Sequence, residues 1–569
     1  MNDNQGVDAV HAYHQRTKHH LDRYAAGPGS LDWNAQPAAF RRWQGTRWYS
    51  LPRQAPDMDV PWSQLDEERP ATPFDLDSLS RLLRLTAAIT AWKQYGGSRW
   101  ALRAHPSSGN LHPTETWAIA YWVDGLADGL YHYQNEDHTV EWRASTLTAS
   151  DSQGLWLGFT SIPWREAWKY GERAFRYCQL DMGHVLAAVA HAAALFGWRP
   201  RLVALDHDAL ARCLGTDRAE DFAGVEAEEP EVMVAIHAPG PGDVPLPPLQ
   251  WDEWSGVPSL LDPKPMYQWP VIDEVAVATR GPLESSPAPL LEMGERDGAP
   301  PSAFAQEQFP LWKTSEAKFR ACGQRGIEGD STACANGEAV THPKPLPRGE
   351  GADPPATRVI LQRRSAQAFD GQSVMPNAVF RQILSTLLPG GSPVWRMWDL
   401  PPRVHPILMV HRVEGVAPGL YILPRSEAGL TGLGEAMRRE LHWTSADAAL
   451  PLYQLVAANA QRTARTVSCH QDIASNSAFT LLFAAEFDGP LAENPAAYRH
   501  LHWEAGMLGH CATLEAEAAG WRGTGIGCFF DDADHEVLGL ADSRYQVIYH
   551  YAVGMALEDA RITTLPAYG

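Results

Sequence analysis

Asp181-Met182-Gly183-His184 opens a run that closes at Gly197-Trp198-Arg199, and Glu504-Ala505-Gly506-Met507 opens another that closes at Gly520-Trp521-Arg522. The acidic residue stands at the same distance before the closing glycine in both. Phe175-Arg176-Tyr177 precedes the first run and Tyr498-Arg499-His500 the second, and each intervening stretch is rich in Ala and Leu. Such a stretch, ended by glycine, predicts a buried helix. Working outward, His112-Pro113 matches His405-Pro406, Gly129-Leu130-Tyr131 matches Gly419-Leu420-Tyr421, and Leu214-Gly215 matches Leu538-Gly539, in unbroken order. A duplicated unit leaves this kind of trace. We therefore expect two diverged copies of one α+β unit, fused in one chain.

The chain as a whole has globular composition, with 44% hydrophobic and 20% charged residues over 569 positions. A net charge of −21 argues against nucleic-acid and anionic-membrane partners. No apolar run approaches the ~18 residues of a spanning helix. Met1–Gly6 is polar and lacks the apolar core of a secretory signal. Seven cysteines without a CxxC pair suggest reduced thiols, so a cytoplasmic location is expected. Cys322 and Cys334 share a polar stretch, but no metal site is expected.

Composition sets the boundaries. Residues 1–75, rich in Pro, Gly, Trp and His, read as an N-terminal extension, in which His14, Lys18, His19 and His20 form a hydrated basic face. Residues 76–240 read as the first unit, 241–355 as a Pro/Gly-rich linker, and 356–569 as the second unit.

The two copies are complementary. The first carries Pro106-Ser107-Ser108-Gly109-Asn110, a small polar turn able to approach a ligand closely; the second has Pro401-Pro402-Arg403-Val404 there. The second alone opens with Arg363-Arg364-Ser365-Ala366-Gln367-Ala368-Phe369-Asp370 and contains Gly523-Thr524-Gly525-Ile526-Gly527, read as a flexible loop. Asp181 and His184 are read as structural, and Cys528 as packing.

At these residues the chain resembles the nitroreductase superfamily of FMN enzymes. The second copy is similar in its Arg-Arg-Ser…Phe start, its acidic residue and glycine in a long helix, and its Gly-rich stretch. The first copy resembles the branch of SagB-type thiazoline/oxazoline dehydrogenases, through Pro106–Gly109, Lys169-Tyr170 and Arg176-Tyr177…Asp181–His184. The tail Asp559–Tyr568 is also similar to that branch.

The resemblance implies a fold in which two nitroreductase-like domains, each a mixed sheet flanked by helices, form an internal pseudo-dimer, with a homodimer of such chains as a further option. It implies one FMN per chain at a composite site. Arg363, Ser365 and Arg561 would hold the phosphate, since guanidinium forks match phosphate oxygens. Gln367 stands where the family often has Arg or Lys, a gap that Arg364 can fill. Ser107, Ser108, Gly109 and Asn110 would reach the flavin from the other copy, and the Gly525-Ile526-Gly527 backbone would face flavin N5, where hydride enters. Lys169 and Tyr170 would handle the proton, a desolvated lysine being a base near neutrality. The implied substrate is a peptide-derived azoline or similar small molecule, with a cyclodehydratase or other biosynthetic partner. An NAD(P)H-dependent nitro- or quinone reductase and a non-catalytic peptide-binding scaffold are the alternatives.

Overall fold

The computed structural model describes residues 3–54, 58–145, 153–237, 246–283 and 353–568. Helix α1 (Asp3–Arg16) precedes the first unit. That unit runs through α2 (Leu76–Thr86), the hairpin β1 (Ile89–Tyr95) and β2 (Ser98–Arg103), then β3 (Thr114–Tyr121), β4 (Gly129–Gln134), β5 (Thr139–Ser145) and β6 (Gly154–Ser161). It continues with α3 (Pro163–Tyr170), α4 (Ala174–Leu195), β7 (Arg201–Leu202), α5 (His207–Leu214) and β8 (Glu229–Ile236). Strand β9 (Glu253–Trp254) and helix α6 (Pro270–Ala278) follow. The sheet order is β9-β5-β4-β3-β6-β8-β7. Strands β3, β6 and β8 are buried at every position, so both sheet faces are covered.

The second unit repeats the plan. It comprises α7 (Asn377–Leu387), β10 (Val404–Val410), β11 (Gly419–Ile422), β12 (Tyr453–Ala457), β13 (Phe479–Glu486), α8 (Asp488–Glu493) and α9 (Ala497–Ala518). Then come β14 (Arg522–Ile526), α10 (Asp531–Leu538), β15 (Tyr545–Gly554) and β16 (Thr563–Pro566). Its order, β12-β11-β10-β13-β15-β14, matches β5-β4-β3-β6-β8-β7 strand for strand. The class is α+β with two like units, as expected. The ladders of both central sheets are antiparallel rather than mixed, because their strands succeed one another through hairpins and returning helices.

The matched glycines mark where the copies meet. α4 crosses α9 so closely that a Cβ at Gly183 would press on the Trp503 carbonyl and lie 2.9 Å from the Gly506 Cα. A Cβ at Gly506 would press on the Leu180 carbonyl and lie 2.9 Å from the Gly183 Cα. This reciprocity is the signature of a twofold, self-complementary contact. Both helices stop at a left-handed glycine, Gly197 (φ 68°) and Gly520 (φ 75°). One apolar core, including Leu186, Val189, Leu508 and Ala512, runs through both units.

The units also exchange their ends. His14 on α1 meets Gln546 (3.1 Å) and Tyr498 (3.3 Å) of the second unit, Lys18 pairs with Asp532 (2.8 Å), and the His19 N–H donates to Asp531 (2.9 Å). The expected hydrated basic face at His14, Lys18 and His19 is therefore corrected. The His14 and Lys18 side chains are buried because amide, phenol and acidic partners of the other unit receive them, and the His19 ring accepts the Ala25 N–H at 2.9 Å. In return, β16 pairs with β1 (Thr563 opposite Gln94, Pro566 opposite Ala91), and Tyr568 Oη donates to the Asn135 carbonyl at 2.6 Å.

Within the stretch expected as a linker, partly ordered around Trp251, Trp254 and Trp269, residues 246–283 are described. β9 extends the first sheet beside β5, and α6 packs against α1 and α4. Residues 284–352, with Cys322 and Cys334, lie outside the described residues.

Candidate active site

The turn before β3 is held from below. The Ser108 N–H and Oγ each donate to Asp181 at 2.9 Å, and Ser107 Oγ accepts the His112 N–H at 2.8 Å. Gly109 (φ 57°) and Asn110 (φ 59°) lie in the left-handed region, which glycine and asparagine tolerate. Asn110 Nδ2 donates to the Ala101 carbonyl (3.0 Å), so its amide serves the turn.

Helix α3 delivers the lysine and tyrosine to that turn. Pro163 fixes its first residue, and Arg165 donates to Glu115 (2.5 Å) and to the His112 carbonyl (2.8 Å), tying the helix to β3. A Cβ at Gly109 would lie 2.5 Å from Tyr170 Oη and 3.1 Å from Lys169 Nζ. Glycine is thus required both by φ and by this close approach. Lys169 Nζ also lies 5.7 Å from the centre of the Trp33 ring and 5.1 Å from that of Tyr170. Burial pushes Lys169 below its ordinary range, against the pull of Glu166. Glu166, one turn earlier, is fully buried, and neither carboxylate oxygen has a hydrogen-bond partner. Burial, with Asp181 nearby, holds it well above the usual carboxyl range, and Lys169 opposes this. Burial also raises Asp181 to about 7, against the hydrogen bonds from Ser107 and Ser108.

The opposite wall belongs to the second unit. The Tyr170 ring meets Tyr177 edge-on (centroids 4.6 Å), and Tyr177 Oη donates to the Gly527 carbonyl at 3.1 Å. Gly523–Ile526 is not the expected flexible loop. It is edge strand β14, paired with β15 from Arg522 opposite Gly554 to Ile526 opposite His550. The alternating glycines belong to one strand face, and tyrosines fill the space where side chains would be. A Cβ at Gly523 would meet Tyr551 (2.8 Å), one at Gly525 the Tyr549 hydroxyl, and one at Gly527 the Tyr177 ring. Tyr549 Oη is 3.2 Å from His184 Nε2, while His184 Nδ1 is buried and unpartnered. Ile526 is buried in the second unit's core. Gly109 and Gly525 are exposed, the first beside Tyr170 and the second on β14 beside Tyr549.

The arginines are partly spread. Arg363 is buried, with Nε and Nη2 on the Ala104 and Arg103 carbonyls (2.9 and 3.0 Å) and Nη1 3.5 Å from Ser365 Oγ. Arg364 turns to Thr90 Oγ1 (3.2 Å) on β1. Ser365 and Gln367 are exposed. Arg561 pairs with Asp559 (2.7 Å) and lies 5.5 Å from the Tyr95 ring, at the tip of the β1–β2 hairpin. Arg363 sits at the base of that hairpin, on the order of 20 Å away along the strand. The structure thus gathers Ser107–Asn110, Lys169 and Tyr170 and joins them to Gly527. Arg363 and Ser365 stay together, and Arg561 stands apart.

Sequence reasoning missed Glu166, Tyr177 and Tyr549 as lining groups. A signal was present for the first two, since Glu166 sits one helical turn before Tyr170, and Tyr177 one turn after Arg173 in the matched segment.

Residues 360–555 match the nitroreductase family model. A crystal structure of a candidate nitroreductase from Anabaena variabilis ATCC 29413 is 21% identical, with 96% of this chain and 99% of that one aligned at a TM-score of 0.63. A candidate nitroreductase from Ralstonia eutropha JMP134 is 19% identical over 38% of this chain and 98% of that one (TM-score 0.25). The E. coli microcin synthetase McbBCD complex with truncated pro-MccB17 is 16% identical over 42% and 95% (TM-score 0.25). No curated protein matches the sequence. The second unit is thus similar to the nitroreductase family, and the chain as a whole has the nitroreductase fold. No helix among the described residues is long and apolar enough to cross a membrane.

Proposed function

We propose that this protein is an FMN-dependent dehydrogenase with one flavin per chain, acting on a peptide-derived azoline or a similar heterocycle. The observation that carries the reading is the approach of Lys169 Nζ and Tyr170 Oη to the exposed backbone of Gly109, beside the Tyr177–Gly527 hydrogen bond that joins the two units. The residues present fit the cofactor. Gly109 and Gly525 present exposed backbone, and the Tyr170 hydroxyl and Lys169 would supply polar contacts. Arg363 Nη1 and Ser365 Oγ, 3.5 Å apart, would hold the phosphate.

Bound there, FMN would supply the two-electron acceptor for removing two hydrogens across a C–C or C–N bond. Lys169, its charge disfavoured by burial, takes the proton that leaves the substrate. Tyr170 Oη donates a hydrogen bond that orients the lysine or the substrate heteroatom. Trp33, in edge contact with Trp168 at 5.4 Å, lies over Lys169 with its ring centre 5.7 Å from Nζ. On this reading a cyclodehydratase supplies the substrate.

The test is twofold. Purified chain should bind one FMN, and Lys169→Ala or Tyr170→Phe should lower dehydrogenation about 10²–10⁴-fold while keeping the flavin. Two flavins per chain would overturn the composite site, a colourless protein that takes up no FMN would support a scaffold, and rapid bleaching by NAD(P)H would favour a reductase.

A further inference from the structure

Cys528 follows directly on Gly527, the residue that Tyr177 holds, and its Sγ lies 2.6 Å from Sγ of Cys469. Two unbonded sulfur atoms do not rest comfortably so near, whereas a bonded pair stands at about 2.05 Å. The approach is built into the backbone. The Phe530 N–H donates to the Val467 carbonyl (2.7 Å), and Gln471 Nε2 donates to the Cys528 carbonyl (3.0 Å), so the two segments are pinned on both sides of the thiols. Cys469 (φ 52°) and His470 (φ 60°) both adopt the left-handed conformation, which side-chain-bearing residues rarely take and which is held where surroundings dictate it. Arg173 donates to the Gly527 carbonyl (3.3 Å) and lies 4.7 Å from the Phe529 ring, placing a positive charge against this corner. Both cysteines are partly exposed, whereas Cys178, Cys213 and Cys511 are buried.

We propose that Cys469 and Cys528 form a reversible disulfide that ties the end of β14, the second unit's wall of the candidate site, to the loop after Gln461–Val467. The oxidant is a small-molecule disulfide such as oxidised glutathione. One cysteine thiolate attacks it, forming a mixed disulfide and releasing one small thiol. The second cysteine thiolate then displaces the other small thiol and closes the protein S–S bond. Two protein thiols lose two electrons and two protons, and one small disulfide gains them to become two small thiols. Burial and the neighbouring thiol hold Cys469 above its ordinary range, and Arg173 opposes that rise.

The experiment uses the full chain, equilibrated with oxidised glutathione at neutral pH, then acid-quenched, denatured and alkylated. Of the seven cysteines in the sequence, five should take the label, and the peptides carrying Cys469 and Cys528 should run as one species about 2 Da lighter than their sum, separable by reductant. Cys469→Ser and Cys528→Ser should each abolish that species, and each circular-dichroism spectrum should match that of the unaltered chain. Labelling of all seven cysteines would overturn the proposal. So would stable glutathione adducts on Cys469 or Cys528 with no linked peptide.

Discussion

The two units place an acidic residue at matched positions of their long helices, Asp181 and Glu504, and each accepts a backbone N–H from the segment before the following strand. Ser108 donates to Asp181 and Arg403 to Glu504. From there they part. Glu504 is paired with Arg425, which also donates to the Leu387 and Val404 carbonyls and stacks 4.2 Å from the Trp395 ring. Asp181 has serine donors and no ion pair among the described residues, and it faces Glu166 and Tyr170. Where α3 ends in Lys169 and Tyr170, its counterpart α8 ends in Ala492 and Glu493. One half of the pseudo-dimer has closed its acidic position with an arginine, and the other has left it beside groups that can move protons. The geometry that duplication made twice is closed by an ion pair in one half and left without one beside Lys169 and Tyr170 in the other.

The largest effect should come from the feature both halves share. Gly183→Val and Gly506→Val each push a side chain into the partner helix backbone, and each should cost more than about 4 kcal/mol, seen as loss of soluble folded protein. A variant of only one of them that folds normally would break the symmetry argument.

The next effect separates the halves. Lys169→Ala should lose about 10²–10⁴-fold in turnover, while Glu493→Ala, near the matched end of α8, should leave turnover within twofold. Steady-state kinetics on flavin-loaded protein decides this. Arg425→Leu strands Glu504 as a buried charge and should cost about 3–5 kcal/mol in denaturant unfolding, with the flavin content of the folded fraction unchanged.

The smallest effect is a slope. A carboxyl raised to about 7 binds its proton in the folded state while the unfolded chain has released it. Its contribution to stability is therefore full at low pH and is lost as pH rises from about 4 through 7. Asp181→Asn should flatten that part of the stability–pH curve, measured by denaturant midpoints. Glu504→Gln should instead destabilise by removing the partner of Arg425.

The repeat, the buried helices and the turn were legible because they rest on local signals. Glycine stops a helix, Ala- and Leu-rich runs bury one, and small polar residues turn the chain. Three features were not. The Gly523–Gly527 run reads as loop because glycine weakens strands, and only the tyrosines of β15 and α4 explain why it is a strand. The basic residues around Lys18 read as solvated because their acidic partners, Asp531 and Asp532, are hundreds of positions away. The Cys469–Cys528 approach depends on a loop conformation that no spacing rule encodes. In the site, Lys169 and Tyr170 came from family likeness, while Glu166 required knowing that nothing pairs with it.

The exchanged ends have a consequence for how the chain comes into being. The hairpin of β1 and β2 gains its third strand from residues 563–566, and the Ile89 N–H finds its acceptor at Tyr568 Oη. During synthesis from the ribosome, the first unit therefore waits with an open sheet edge and unfilled backbone donors until the second has been made. α1, made before the second unit, waits in turn for α9 and β15 to bury it. The contacts that complete each unit join residues far apart in sequence, so burial of both is completed together.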